Sequence, residues 1–229
     1  MPEKLPFIIA SIRDVDVIGE NKEIISFADI IELRVDLFVT LQEDYLKNTF
    51  EKAVFLFNKP IIGTIRDPSE GGNRLIEDRL SYYLLIENYI TYVDIELSHS
   101  DLIKTFKSKT SNSAIKTIGS YHNFESTPEI EDIEKIIDLA RGIPVDIIKI
   151  ATMCNSSKDL LKLFEITDRY KDNNIITISM GKAGFLSRIS AWLFGSIMTY
   201  GHIGNSTAPG QLSVKELNHH ISWLKKMII

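Results

Sequence analysis

In IIELRVDLF, residues 30–38, apolar and charged residues alternate from Ile31 to Leu37. Ile31, Leu33, Val35 and Leu37 fall on one side of an extended chain, and Glu32, Arg34 and Asp36 on the other. The β-branched Ile31 and Val35 favour a strand. A strand whose second face is charged fits two settings. It can sit in a half-exposed antiparallel sheet, with the charges in water. It can also sit in a parallel sheet covered on both sides, where the charges must meet one another. The rest of the chain decides between the two.

Comparable runs recur at 5–12, 29–36, 60–66, 92–97, 115–122, 146–152, 174–180 and 196–203. Each start is far enough from the last for one crossover helix. The intervening stretches read as helical. Thr127 offers a cap with Pro128 at the first position, followed by an Ile130, Ile133, Ile136, Ile137 and Ala140 stripe that Gly142 closes. A second helix fits 70–90, with Leu80, Tyr83, Leu84 and Ile90 apolar. A last one fits 213–227, through Leu217, Ile221, Leu224 and Met227. Eight strand–helix units predict a (β/α)8 barrel, one domain over residues 1–229. The rival is an open doubly wound sheet, which would show fewer strands and a glycine-rich first turn. No such turn is present.

Composition narrows the function. The chain has 229 residues and a net charge of −5. No basic surplus is available for a nucleic-acid backbone. The single cysteine, Cys154, excludes an internal disulfide and a cysteine-built zinc site. No apolar run approaches the ~18 residues of a membrane span, and no secretory leader is recognisable, so a cytoplasmic location is expected. H-E-x-x-H, P-loop and G-x-G-x-x-G motifs are missing, which leaves metal, nucleoside triphosphate and dinucleotide chemistry without support.

In a barrel, the face opposite the helix-packed one points inward. That face carries Ile62, Thr64 and Arg66 in one strand, Tyr92, Asp94 and Glu96 in another, and Ile147, Lys149 and Ala151 in a third. The charges come late in the strands, at the carboxyl ends where barrel enzymes build their sites. Lys149, in DIIKIATM (146–153), has two readings. Partly desolvated and near arginines, it would release a neutral amine that attacks a carbonyl and forms a Schiff base. Equally, it could be a structural counter-ion to Asp94 or Glu96. His122 ends a strand and titrates near neutrality, which suits proton transfer. His99 is a second candidate. His202 is read as a loop residue, and His219 and His220 as solvated on the last helix.

ELRVDLF, GTIRDPSEGG, YVDIEL, GSYHNF-x-x-TP, DIIKIATM, ISMG with a later SR, FGS and APGQLSV occur in this order between about residues 30 and 217. Together they resemble the type I 3-dehydroquinate dehydratases, Schiff-base lyases of the shikimate pathway. The resemblance implies elimination of water from 3-dehydroquinate with no metal or organic cofactor. It implies an imine at Lys149, acid–base work by His122 and a His122 partner in Glu70. It places Glu32, Arg34 and Arg66 at the substrate hydroxyls, Met180 at the pocket wall, and Arg188, Thr207 and Gln211 around the substrate carboxylate. Ile178 stands where many members have methionine, and Thr207 where many have serine. The loop 201–211 would lie over the mouth as a lid. A homodimer, and a reduced N-terminal hairpin, are also expected. Two other functions stay open. One is a class I aldolase or transaldolase, with a phosphate site at GKAG (181–184). The other is an inactive barrel that binds a hydroxy acid.

Overall fold

The computed structural model describes residues 6–19, 22–204, 206 and 208–228. Eight strands form one parallel sheet: β1 Phe7–Ile12, β2 Ile30–Arg34, β3 Ile61–Thr64, β4 Tyr92–Glu96, β5 Lys116–Asn123, β6 Ile147–Met153, β7 Ile175–Met180 and β8 Met198–His202. The ladder runs β7-β6-β5-β4-β3-β2-β1-β8. Between its two ends, Ile197 N donates to Ile175 O at 3.0 Å and Thr177 N to Ser196 Oγ at 3.1 Å, which draws the sheet into a nearly closed barrel. The helices among the described residues are α1 Asp14–Ile18, α2 Lys22–Ile25, α3 Glu43–Phe57, α4 Arg79–Leu85, α5 Ser100–Lys109, α6 Ile130–Arg141, α7 Ser157–Arg169, α8 Phe185–Ser190 and α9 Val214–Ile228. All eight expected strands are present, and the doubly wound alternative is excluded by the ladder order.

The alternation sorts side chains as expected. Outward residues such as Ile31, Leu33, Val93 and Ile95 pack with Leu46, Phe50, Ala53 and Ile103 of the helices. Inside, Ile9, Ile30, Ile62, Ile118, Ile147, Ile176 and Met198 fill the barrel. Above this apolar plug the inward positions become polar. Glu96, Ser120 and Lys149 are register neighbours across β4, β5 and β6. The plug therefore lifts the charged layer to the carboxyl ends of the strands.

Three local expectations need correction. The stretch 70–90 is not one helix: a 3₁₀ turn at Pro68–Glu70 is followed by α4 and a second 3₁₀ turn at Glu87–Tyr89. Gly71 takes a left-handed φ of 87°, and a Cβ on Gly72 would lie 2.0 Å from Arg66 O, so this chain segment folds tightly back on the barrel rim. Asp78 caps α4 through Ser81 N at 3.2 Å. Thr127 is not the cap of α6. Its hydroxyl donates to Met153 O at 2.8 Å, tying the loop to the end of β6, and the helix begins after Glu129. His202 ends β8 instead of lying in a loop, and its N donates to Leu212 O at 3.0 Å. The expected reduction of the N-terminal hairpin falls on residues 1–5, outside the described residues. No helix among the described residues is long and apolar enough to cross a membrane.

Candidate active site

Lys149 lies in the middle of β6 and is 4% exposed. Its Nζ donates to Asp94 Oδ2 at 2.8 Å, stands 3.9 Å from Glu32 Oε1, and lies 4.1 Å from the centre of the Tyr200 ring. The counter-ion foreseen as Asp94 or Glu96 is therefore Asp94. Glu96 is engaged elsewhere, with Arg66 and Arg79. Asp94 is not held by the lysine alone: Arg66 donates to its Oδ1 at 2.8 Å and Ser120 at 2.6 Å. Burial alone would push the Asp94 carboxyl up, but Arg66 and Lys149 outweigh it and hold it well below the usual range.

Glu32 accepts from Ser11 Oγ at 2.6 Å and Thr64 Oγ1 at 3.0 Å, hydroxyls delivered by the flanking strands. Arg34 forks onto Asp36 with bonds of 2.9 and 2.8 Å. Asp36 also accepts from Arg66 N at 3.2 Å, so the loops after β2 and β3 are tied together beneath the mouth.

His122, late in β5, meets Glu70 from the loop after β3. One carboxylate oxygen, Glu70 Oε2, accepts from His122 N at 2.9 Å and lies 3.0 Å from Nδ1. Two bonds to a single residue fix the ring's direction. Phe124 stacks beside the imidazole with centroids 6.5 Å apart. Burial, then the positive charges of Arg66 and Lys149, push the imidazole well below its usual 6.5. Burial pushes the Glu70 carboxyl up to about 7, with Arg66 opposing and Glu96 adding to the rise. A neutral imidazole on a carboxyl poised at neutrality is suited to accept and return a proton.

On the other side, Arg188 from α8 is buried. It donates to Tyr200 O at 3.1 Å and Pro209 O at 3.3 Å, while its Nε has no partner. Burial without a carboxylate partner lowers its guanidinium to about 10. A buried cation bonded only to carbonyls calls for an anion.

One cavity collects these groups. Glu32, Arg34, Arg66, Glu70, His122, Lys149, Met180, Arg188 and Gln211 all line it. Thr207 lies outside the described residues. Of the other histidines, His99 is not in the wall; its Nε2 pairs with Asp67 Oδ2 at 3.1 Å. His219 and His220 are exposed on α9. Ser11, Phe124 and Tyr200 also line the cavity and had drawn no notice in the sequence. Tyr200 could have been found, since in SIMTYGHI it alternates with Met198 toward the interior. Ser11 carries no charge to mark it. Asp94 and Glu96 stood on the inward face, but which cation each takes is set by the folded site and not by the pattern.

The chain as a whole has relatives over nearly its full length. The family model described as "Type I 3-dehydroquinase" matches residues 8–228. The chain belongs to the type I 3-dehydroquinase family. It is 38% identical over 217 residues to a 3-dehydroquinate dehydratase of Thermodesulfovibrio yellowstonii, covering 95% of each chain. Among solved structures, the 3-dehydroquinate dehydratase of Geobacillus kaustophilus superposes with a TM-score of 0.89 at 28% identity, covering 98% of this chain and 93% of that one. The type I enzyme of Clostridium difficile, solved with covalently modified comenic acid, gives 0.86 at 33% identity, covering 97% and 93%. The 3-dehydroquinase match extends beyond residues 30–217, where the sequence motifs had located it, to both ends of the barrel.

Proposed function

We propose that this site removes water from 3-dehydroquinate to give 3-dehydroshikimate through an imine on Lys149. The observation that carries the reading is that Lys149 and the His122–Glu70 pair open onto one cavity that also holds the buried cation Arg188. Family membership supplies the substrate.

The Lys149 amine adds to the C3 ketone once its ammonium has shed a proton, and neutral His122 in the same wall can take it. His122 gives that proton to the carbinolamine oxygen, which leaves as water, and the protonated imine that remains is an electron sink that acidifies the neighbouring C2–H. His122 removes that proton, the enamine expels the C1 hydroxyl, and His122 returns the proton to the departing oxygen. Acid–base help of this kind contributes ~10²–10⁴-fold. Water then hydrolyses the imine, so one water is lost overall. Glu70 orients the imidazole. Glu32, with Arg34 and Arg66, faces the substrate hydroxyls and sets the local charge. Arg188 takes the carboxylate, Gln211 and Thr207 flank it, and Met180 forms an apolar wall. No step calls for a metal or an organic cofactor.

An aldolase would use GKAG as a phosphate cradle. There, Gly181 N already donates to Pro209 O at 3.0 Å and Gly184 N to Gly181 O at 3.1 Å, which removes two amides from such a role. We further infer that the chain acts as a single domain, as a homodimer and in the cytoplasm. Family resemblance supports these points, and light scattering tests the dimer. The deciding assay of activity is turnover of dehydroquinate, followed by ultraviolet absorbance of the conjugated product beside a panel of sugar phosphates. Absorbance growth with dehydroquinate alone is expected. Cleavage of a sugar phosphate and silence with dehydroquinate would contradict the assignment.

A further inference from the structure

Arg79, the first residue of α4, is 6% exposed and faces no part of the cavity wall described above. Its NH2 donates to Glu96 Oε2, and its NH1 stands 3.5 Å from Asp67 Oδ2. Its Nε is buried with no hydrogen-bond partner. Burying a cation with part of its donor set unsatisfied is costly, and a structural role alone would be served as well by an apolar side chain.

Glu96, fully buried at the end of β4, passes this charge on. Its Oε1 accepts from Arg66 NH1 at 2.8 Å and from Asp67 N at 3.0 Å. Arg66 in turn donates to Asp94 at 2.8 Å, and Asp94 accepts from Lys149 at 2.8 Å. Charges thus alternate in contact from Arg79 through Glu96, Arg66 and Asp94 to the lysine. Such chains inside a protein are screened far less than surface pairs.

We propose that Arg79 is a positioning residue: through Glu96 and Arg66 it sets how tightly Asp94 holds the Lys149 amine. Glu96 divides its two oxygens between two arginines. Without Arg79 it would draw Arg66 more fully to itself, leaving Asp94 to the lysine. Without the Glu96 charge, Arg66 would turn wholly to Asp94 and loosen its hold on the lysine. The two losses push the ammonium–amine balance in opposite directions. Lys149 is faced by Asp94 from β4, Glu32 from β2, Arg66 from after β3, His122 from β5 and Tyr200 from β8. Arg79 is faced by Glu96, by Asp67 with its partner His99, and by Tyr83 on its own helix. Of these, Tyr83 also reaches Asp94, but through the backbone: its hydroxyl donates to Asp94 O at 2.9 Å and carries no charge to the carboxylate.

The inference rests on the imine reading. Its test is the pH dependence of borohydride trapping with dehydroquinate, measured beside kcat and KM in wild type, Arg79→Met, Arg79→Lys and Glu96→Gln. The acid limb of trapping should move up by about 0.5–1 pH unit in Arg79→Met, as expected for one charge removed from a weakly screened chain. It should return most of the way in Arg79→Lys and move down in Glu96→Gln, with kcat changing more than KM. Limbs that stay in place, or move the same way in Met and Gln, overturn the role of Arg79. If Arg79→Met does not fold, a Glu96→Gln limb that stays or rises overturns it. Wild type that is not trapped at all overturns the imine reading itself, whereas trapped wild type with unmoved limbs overturns only this inference.

Discussion

Glu70→Gln separates the charge of the histidine's partner from its shape. Glutamine keeps an oxygen that can accept from His122 N and Nδ1, so the ring keeps its direction. What it removes is an ionisation that the site resists. Burial, at 8% exposure, lifts the Glu70 carboxyl from an ordinary 4.5 to about 7. A carboxyl with a raised folded value binds its proton more tightly folded than unfolded. Its contribution to stability is whole below about 4.5 and is lost as pH rises through about 7. At 1.36 kcal/mol per unit, this window is worth about 3 kcal/mol. Urea unfolding of wild type and Glu70→Gln should therefore agree near the lower end and diverge with pH, the variant being the more stable by up to that amount at mildly alkaline pH. Activity should move the other way. Only the ionised carboxylate stabilises the imidazolium formed when His122 takes a proton, so wild-type kcat should rise with pH through an apparent value near 7 that belongs to the coupled pair. In Glu70→Gln that rise should vanish and the plateau fall by about 10-fold, the worth of one charged hydrogen bond. A stability difference that does not change with pH, together with an unaltered activity profile, would refute the assignment of this ionisation to Glu70.

Further outcomes follow from the same geometry. His122→Ala should still be trapped by borohydride at Lys149 while steady-state turnover falls ~10²–10⁴-fold, measured by absorbance; near-normal turnover would point to another base. Arg188→Lys should chiefly raise KM, by the ~1–3 kcal/mol of a lost charged hydrogen bond, because a point ammonium cannot replace a planar fork. Gly210→Ala should loosen the loop 201–211. Gly210 has a φ of 68°, and a Cβ there would stand 2.3 Å from Gly181 O, so proteolysis within the loop should quicken in the variant.

The barrel was legible because its two signals agree. Residues 31–37 alternate with period two, and the spacing of the eight runs admits one helix each, so the charged face had to point inward. The site was legible to the extent that it is made of charges. Lys149, Glu32 and Arg66 stand out in apolar runs, and burial of such residues demands partners. What stayed hidden depends on register or on neutral groups. Register sets Lys149 level with Glu96, yet it meets Asp94, because Arg66 and Arg79 hold Glu96, which no local pattern states. Ser11 and Tyr200 look like ordinary strand residues. The helix expected over 70–90 failed because its apolar positions begin only at Leu75, past Gly71 and Gly72, where the backbone turns sharply to carry Glu70 to His122. Thr127 failed as a cap because its hydroxyl found a carbonyl at the end of β6.

Reduction by borohydride during turnover tests the imine at Lys149 most directly. Wild type incubated with dehydroquinate and borohydride should lose activity and gain the mass of one reduced ligand, and peptide mapping should place that mass on Lys149. Lys149→Arg should neither turn over nor gain mass, since a guanidinium stays protonated and forms no imine. Mass on a different lysine, or full activity with no added mass in the presence of borohydride, would contradict an imine at Lys149.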